Sequence, residues 1–224
     1  ALTECDLLIN LGSRFDDRLA SNPNEFAPNA KVVHIDIDES EINKVIPTTL
    51  GIVADCKKVL EALVTEHQSH ATYKEWVDHC LDNKSKHPFK YKEANDTFCR
   101  PQEAIEYIGK ITNGEAIVTT DVGQHQMWSA QFYPFKHHSQ WVTSGGLGTM
   151  GFGIPSAIGA QLAAPDKTVI CFVGDGGFQM TNQEMALLPE YHLNVKIVLI
   201  NNGTLGMVKQ WQDKFFNKRF SHSV

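Results

Sequence analysis

The segment TVICFVGDGG, residues 168–177, decides the fold class of this chain. It predicts a fully apolar strand over residues 168–173, which a tight glycine-rich turn over 174–177 closes. Strands without polar alternation are typical of parallel sheets that are buried on both faces. A second apolar run, over residues 195–200, predicts a companion strand. We therefore expect a parallel sheet around this segment.

The patterns on either side of this segment extend the same architecture. Further short apolar runs predict strands at 6–12, 31–37, 51–55 and 116–120. Helical patterns alternate with them at 56–67, around 73–81, at 102–111, at 154–163, and from a Thr181-x-x-Glu184 capping box to about Tyr191. Strands that alternate with helices predict α/β domains. We expect two doubly wound parallel-sheet domains.

A change of composition separates the two domains. The stretch from 68 to 100 is rich in Lys, His, Asp and Asn, whereas the flanking stretches carry apolar strands. We expect a first domain over residues 1–68, a linker over 69–100 and a second domain over 101–224. The chain opens without Met and ends without a stop signal, so we expect a fragment of a longer protein, truncated within its second domain.

The bulk composition excludes several classes of protein. With 42% hydrophobic and 21% charged residues, the 224-residue chain has the balance of an ordinary globular protein. Its net charge of −6, without a basic stripe, gives no reason to expect nucleic acid or a membrane as partner. Five cysteines without a C-x-x-C spacing argue against a disulfide framework or zinc site, which favours the cytoplasm.

Polar residues follow the two apolar strands at their carboxyl ends, where open α/β sheets bind ligands. Asp175 follows the first strand and Asn202 the second, so both reach one crevice if the strands are neighbours. Carboxylate and amide oxygens suit Mg²⁺, which usually also keeps phosphate oxygens in its shell. Gly174, Gly176 and Gly177 allow close backbone approach to an anion, and the following helix adds its positive end. Either element alone is more often a surface feature, but the pair favours a Mg²⁺–diphosphate site.

This paired pattern resembles the diphosphate motif of thiamine-diphosphate enzymes. Three more segments, DVGQHQMW (121–128), SGGLGTMGFG (144–153) and LGMVKQW (205–211), narrow the resemblance to the large catalytic subunits of the acetolactate (acetohydroxyacid) synthases. The first domain shares it through GSRFDDR (12–18) and HIDID (34–38). The resemblance covers nearly the whole chain except the linker.

The resemblance implies a role for each residue of the second domain that it matches. Mg²⁺ would be held by Asp175, the Asn202 side chain and the backbone carbonyl of Thr204, while Gln124 and His125 would reach the diphosphate. The other coenzyme positions that it implies are Gly148, Met150, Gly176, Gly177, Leu205, Gly206 and Met207. His125 could instead be a general base, but its expected place in a loop, away from any carboxylate, favours positioning.

Three of these residues are expected at the catalytic centre, namely Gln124, Met150 and Trp211. Met150 would prop the bend of the coenzyme, Gly148 would offer a backbone acceptor to the aminopyrimidine, and Met207 would flank that ring. Trp211 would shape the pocket for the acceptor 2-ketoacid. The alternatives are ordinary core filling for the methionines, and packing beside Phe215 and Phe216 for Trp211.

The resemblance implies that the first domain binds FAD without redox chemistry. The matching positions are Arg14, Asp16, Arg18, Leu19, Asp36, Ile37, Glu41, Ala54 and Asp55. All of them fall at the carboxyl ends of predicted strands, where arginines can meet a pyrophosphate and acids can meet ribose hydroxyls. The alternative is a surface ion-pair cluster, Arg14 with Asp16 and Asp17 with Arg18.

The implied reaction joins two pyruvates to 2-acetolactate with loss of CO₂, or pyruvate and 2-ketobutyrate to 2-aceto-2-hydroxybutyrate, in branched-chain amino acid biosynthesis. The family also uses a glutamate from the partner subunit's N-terminal domain, absent from this chain, so the chain alone should turn over little. We expect a homodimer or tetramer, and a small regulatory subunit is an option. The alternatives are a pyruvate oxidase-like enzyme, against which the Gln210-Trp211 stretch speaks, and a catalytically incomplete cofactor-binding fragment.

Overall fold

A computed structural model describes residues 1–16, 19, 22–66, 72–92 and 98–223 of this chain. The chain divides into two compact units, Ala1–Pro88 and Phe89–Val224. Each unit has its own sheet, and every strand pair in both sheets is parallel. The prediction of α/β units with parallel sheets is therefore confirmed.

The first unit contains a three-stranded sheet with helices that follow it. Its elements are β1 (Leu7–Leu11), β2 (Lys31–Asp36), β3 (Leu50–Val53), α1 (Cys56–Glu66) and α2 (Lys74–Lys86). Strand β2 lies in the centre, and its Val32 packs in a small core with Phe15 and Ile46. Asp55 caps α1, because its carboxylate accepts the backbone N–H of Lys58 at 3.2 Å.

The second unit contains a four-stranded sheet in the order β5-β4-β6-β7. Its elements are α3 (Pro101–Ile111), β4 (Ile117–Thr120), α4 (Gln124–Phe132), β5 (Trp141–Thr143), α5 (Gly153–Ala163), β6 (Val169–Gly174), α6 (Asp175–Thr181), α7 (Leu187–Glu190), β7 (Lys196–Ile200) and α8 (Gly206–Phe215). Strands β6 and β7 are direct neighbours, with Gly174 opposite Ile200. The condition for Asp175 and Asn202 to share one crevice is thus met.

Strand β6 is buried along its whole length because the sheet is covered on both faces. On one face Ile170 and Phe172 pack with Ile105 of α3. On the other face Cys171 and Val173 belong to a cluster with residues of α5. Successive side chains of a strand point to opposite faces, so a strand between two helix layers must be apolar at every position. This explains why residues 169–173 are apolar without interruption.

Two local expectations were wrong. Thr181 does not open a helix with a capping box: it ends α6, its hydroxyl donates to the carbonyl of Gly151 at 3.0 Å, and a 3-10 helix over Asn182–Ala186 follows. Residues 174–177 are not a turn before a helix, because α6 begins at Asp175 itself. At both places the tertiary structure outweighs the conformation that the local sequence pattern predicts. Of the helices described, none is both long and apolar enough to cross a membrane.

The cysteines of the second unit should differ sharply in reactivity. Cys171 is buried in the sheet, and burial raises the pKa of its thiol to about 12, whereas Cys99 is exposed. Because the thiolate is the nucleophile, we expect iodoacetamide at about pH 8 to alkylate Cys99 while Cys171 stays unmodified in the folded protein. Peptide mass spectrometry over time measures both sites. Equal rates in the native protein would contradict the buried placement of β6.

Candidate functional site

An open cavity lies at the carboxyl ends of β4, β6 and β7. It encloses about 640 Å³ of empty space, a figure that includes the open solvent at its mouth. The structure brings into its lining all twelve metal and coenzyme positions that the resemblance implied, and these are Gln124, His125, Gly148, Met150, Asp175, Gly176, Gly177, Asn202, Thr204, Leu205, Gly206 and Met207. Residues that are far apart in the chain therefore share one pocket, as expected at the edge of an open α/β sheet.

The candidate magnesium ligands stand on two adjacent strand ends. Asp175 is the first residue of α6, and its carboxylate accepts the backbone N–H of Gly176 at 3.0 Å. Asn202 follows β7, and its side-chain oxygen accepts the N–H of Thr204 at 3.1 Å. Within the described part of the chain, no cluster of three or more His, Cys, Asp or Glu could hold a metal. The available donor set is therefore one carboxylate with amide and carbonyl oxygens, which suits Mg²⁺ better than a transition metal.

Two glycines of the cavity wall are packed closely against other side chains of the lining. A Cβ on Gly176 would lie 2.6 Å from Leu205 Cδ2 and 3.4 Å from Met150 Cε. A Cβ on Gly206 would lie 2.2 Å from Gln124 Oε1. A side chain at either position would require the ends of these neighbouring side chains to move. Glycine therefore allows the backbone to pack closely against the lining at both places.

His125 lies in the first turn of α4, so the expectation that it sits in a loop was wrong. Glycine on its amino side and the path from β4 allow the helix to begin at Gln124, directly at the cavity. The imidazole is buried, and its Nε2 has no hydrogen-bond partner. Burial lowers the pKa of His125, while a hydrogen bond to the Asp121 backbone and the carboxylates of Asp121 and Asp175 oppose that shift. A neutral ring with an unsatisfied buried nitrogen beside a cavity fits a ligand hydrogen bond.

The cavity's other predicted residues differ in how they are held. Gln124 is engaged across the cavity, since its Nε2 donates to Gln210 Oε1 on α8 at 3.0 Å. Gly148 has a left-handed backbone (φ +66°) in the loop after β5, near Met150. Trp211 lies outside the cavity lining, is 57% exposed and contacts Phe215 with ring centroids 4.8 Å apart. The contact with Phe215 is the one that the packing alternative predicted. The structure does not bring Trp211 into the pocket with the other predicted residues.

The candidate flavin positions lie at strand ends of the first unit, as expected. Arg14 and Asp16 form an exposed ion pair at 3.2 Å, which is the surface pairing named as the alternative. Asp36 ends β2, is nearly buried and accepts the N–H of Asp38 at 2.9 Å. The remaining described positions are Leu19, Ile37, Glu41, Ala54 and Asp55, of which Leu19, Ile37 and Asp55 are exposed. Arg18 and its neighbour Asp17 lie outside the described residues.

Sequence reasoning gave no role to several residues of this region. Val122, Gly123 and Trp128 also line the cavity. Asp121 directly follows β4 and is completely buried, although it is a carboxylate. Its position directly after a strand and two residues before Gly123 was a signal similar to that of Asp175, but only the tertiary structure reveals its contacts.

Two family profiles match this chain. The C-terminal TPP-binding domain of thiamine pyrophosphate enzymes matches residues 121–224, and the central domain of thiamine pyrophosphate enzymes matches residues 1–63. The chain is similar over its whole length to acetolactate synthase large subunits. The identity is 56% with that of Lactococcus lactis and 46% with that of Corynebacterium glutamicum, of which the chain covers 39% and 36%. The isozyme 2 large subunit of Escherichia coli is 43% identical, with 40% covered, so the chain spans about two fifths of these relatives.

Proposed function

This chain belongs to the thiamine pyrophosphate enzymes, and from that premise we propose that it carries the coenzyme-binding part of an acetolactate synthase. The observation that carries the proposal is the cavity in which all twelve coenzyme positions meet. The names of the relatives support the choice of reaction. The proposed reaction condenses two pyruvates to 2-acetolactate with loss of CO₂, or pyruvate with 2-ketobutyrate to 2-aceto-2-hydroxybutyrate, in branched-chain amino acid biosynthesis.

We propose Mg²⁺ as the metal, held by Asp175, the side-chain oxygen of Asn202 and the carbonyl of Thr204. The support is the oxygen donor set at two adjacent strand ends. The unpaired Nε2 of His125 and the backbone of Gly176 would then face the diphosphate. When bound, thiamine diphosphate would supply a nucleophilic carbon and an electron sink for decarboxylation.

The residues of the chain would bind and orient the coenzyme. Gln124 would exchange its hydrogen bond to Gln210 for one to the diphosphate, which opens the cavity between α4 and α8. Met150 and Leu205 bring apolar side chains beside Gly176 and would exclude water from the reacting end. Trp211, on the same helix as Met207, would contact the acceptor 2-ketoacid at the mouth.

The remaining parts of the proposal rest on the resemblance and the relatives. FAD would bind at the strand ends of the first unit, where Asp36 and Glu41 lie. The names of the relatives specify a large subunit, which supports a smaller regulatory partner. We also propose a cytoplasmic homodimer or tetramer, with the family's proton-transferring glutamate contributed from outside this chain.

An assay of the full-length protein with pyruvate tests the function. We expect acetolactate to form only with Mg²⁺ and thiamine diphosphate, without oxygen uptake, and a mixed product when 2-ketobutyrate is added. Replacing Trp211 by Leu should change the ratio of the two products, because the acceptor contact is lost. Stoichiometric hydrogen peroxide with no acetolactate would instead identify a pyruvate oxidase-like enzyme, in which the flavin is redox-active.

A further inference from the structure

Asp121 is a charged residue in the interior of the second unit. It is 0% exposed, and no Lys, Arg or His side chain in the described part of the chain forms an ion pair with it. Burying a carboxylate without a counter-ion is costly unless hydrogen bonds compensate. Such a group therefore needs a structural or functional reason.

Two backbone N–H groups donate hydrogen bonds to the buried carboxylate and offset the cost of burying it. Asp121 Oδ1 accepts from the N–H of Val122 at 2.9 Å, and Oδ2 accepts from the N–H of Gly153 at 2.9 Å. Gly153 is the first residue of the 11-residue helix α5, whose amino end carries a positive partial charge. The carboxylate thus joins the end of β4 to the start of α5.

A third segment packs directly on the same carboxylate. A Cβ on Gly177 would lie only 2.1 Å from Asp121 Oδ1 and 2.6 Å from Cγ. Gly177 belongs to the first turn of α6, two residues after Asp175. Only glycine lets this turn lie so close to the carboxylate, so the position of the turn depends on the contact.

The segments on both sides of the carboxylate face the cavity, whereas Asp121 does not. Val122, Gly123, Gly176 and Gly177 line the cavity, and Asp121 lies behind them. We propose that Asp121 is a positioning residue that sets the distance between the β4 end and the α6 turn, and thereby the width of the diphosphate-binding part of the cavity. This inference rests on the proposed function, because it assigns the residue to coenzyme binding.

The decisive measurement is the affinity of the full-length protein for thiamine diphosphate in the presence of Mg²⁺. Binding can be monitored by tryptophan fluorescence because Trp128 lines the cavity. Asp121→Asn keeps the shape of the side chain, but its amide N–H₂ group faces one of the two backbone N–H groups. Two donors then face each other, so one of the two hydrogen bonds is lost. We expect the coenzyme Kd to rise about tenfold to a hundredfold, the usual loss when an outer partner of a ligand site is removed. With saturating coenzyme, kcat should fall less than about threefold, because no contact to the substrate changes.

Thr119→Val is the matched control. Thr119 is equally buried, its hydroxyl donates to the carbonyl of the same Gly153 at 3.2 Å, and it does not line the cavity. The variant should lower thermal stability but leave the coenzyme Kd unchanged. A Kd raised equally in both variants, or a Kd unchanged in Asp121→Asn, would overturn the positioning role.

A double-mutant cycle tests the contact itself. Gly177→Ala should weaken coenzyme binding strongly in the wild-type background, because its methyl group meets Asp121 Oδ1. In an Asp121→Ala background the same change should cost at least about tenfold less affinity, since coupled neighbours are not additive. Additive losses would refute the contact. If Asp121→Ala fails to fold, Asp121→Ser takes its place in the cycle.

The proposed function and the positioning role of Asp121 can be refuted separately. If the wild-type protein does not bind thiamine diphosphate with Mg²⁺, the proposed function is wrong. If the wild type binds and Asp121→Asn binds equally well, the proposed function stands and only the role of Asp121 is refuted.

Discussion

Replacing Asp175 by alanine is expected to reduce the affinity for thiamine diphosphate with Mg²⁺ by at least about 100-fold, more than the loss of an outer-shell partner causes. Among the residues that the structure describes, Asp175 is the only carboxylate in the lining of the cavity, and the other two proposed ligands are neutral oxygens. Without its charge the site holds a divalent cation poorly, and the cation in turn bridges to the diphosphate. Titration calorimetry of the full-length protein at fixed Mg²⁺ measures the loss.

Asp166→Ala is the control for the removal of a carboxylate. Asp166 is exposed in the same unit, precedes β6 rather than following it, and does not line the cavity. Its replacement should leave the affinity unchanged, since solvent and salt screen an exposed charge outside the cavity. An Asp175→Ala protein that binds the coenzyme as tightly as the control would refute the proposed metal site.

Replacing Phe172 by alanine is expected to give the largest loss of stability, about 3–5 kcal/mol in the free energy of unfolding, as is usual for a buried aromatic residue. Phe172 is 0% exposed in the centre of β6 and packs in the cluster that contains Ile105 and Tyr133. The surrounding sheet and helices cannot collapse fully into the cavity that remains. Guanidinium denaturation followed by tryptophan fluorescence measures the change.

Phe216→Ala provides the comparison on the same unit. Phe216 is 50% exposed at the end of α8, so its removal should cost less than about 1 kcal/mol. Losses of equal size in the two variants would show that the two-layer packing around β6 does not carry the stability. Phe172 also stands three residues before Asp175, so a weakened β6 should in addition lower the affinity for the coenzyme.

The elements of this fold follow closely from the sequence where the signal is local. The apolar runs at 168–173 and 195–200 correspond to β6 and β7 with a shift of about one residue. The prediction failed at Thr181, where a capping signal was overridden by a hydrogen bond to Gly151. It also placed His125 in a loop, although helix α4 begins one residue before it. Both errors arose because contacts from distant segments decide between local conformations of similar energy.

Some features of the candidate site could likewise be predicted from the sequence, whereas others depend on the tertiary structure. By itself the sequence determined which residue types follow the strands, and therefore the chemistry of Asp175 and Asn202. Only the tertiary structure decided that β6 and β7 are neighbours, that Gln124 bonds to Gln210, and that Trp211 lies outside the lining. The contact of Asp121 with Gly177 belongs to this second group. Strand order and packing depend on surfaces brought together from far apart in the chain, and no local pattern of residues records those distances.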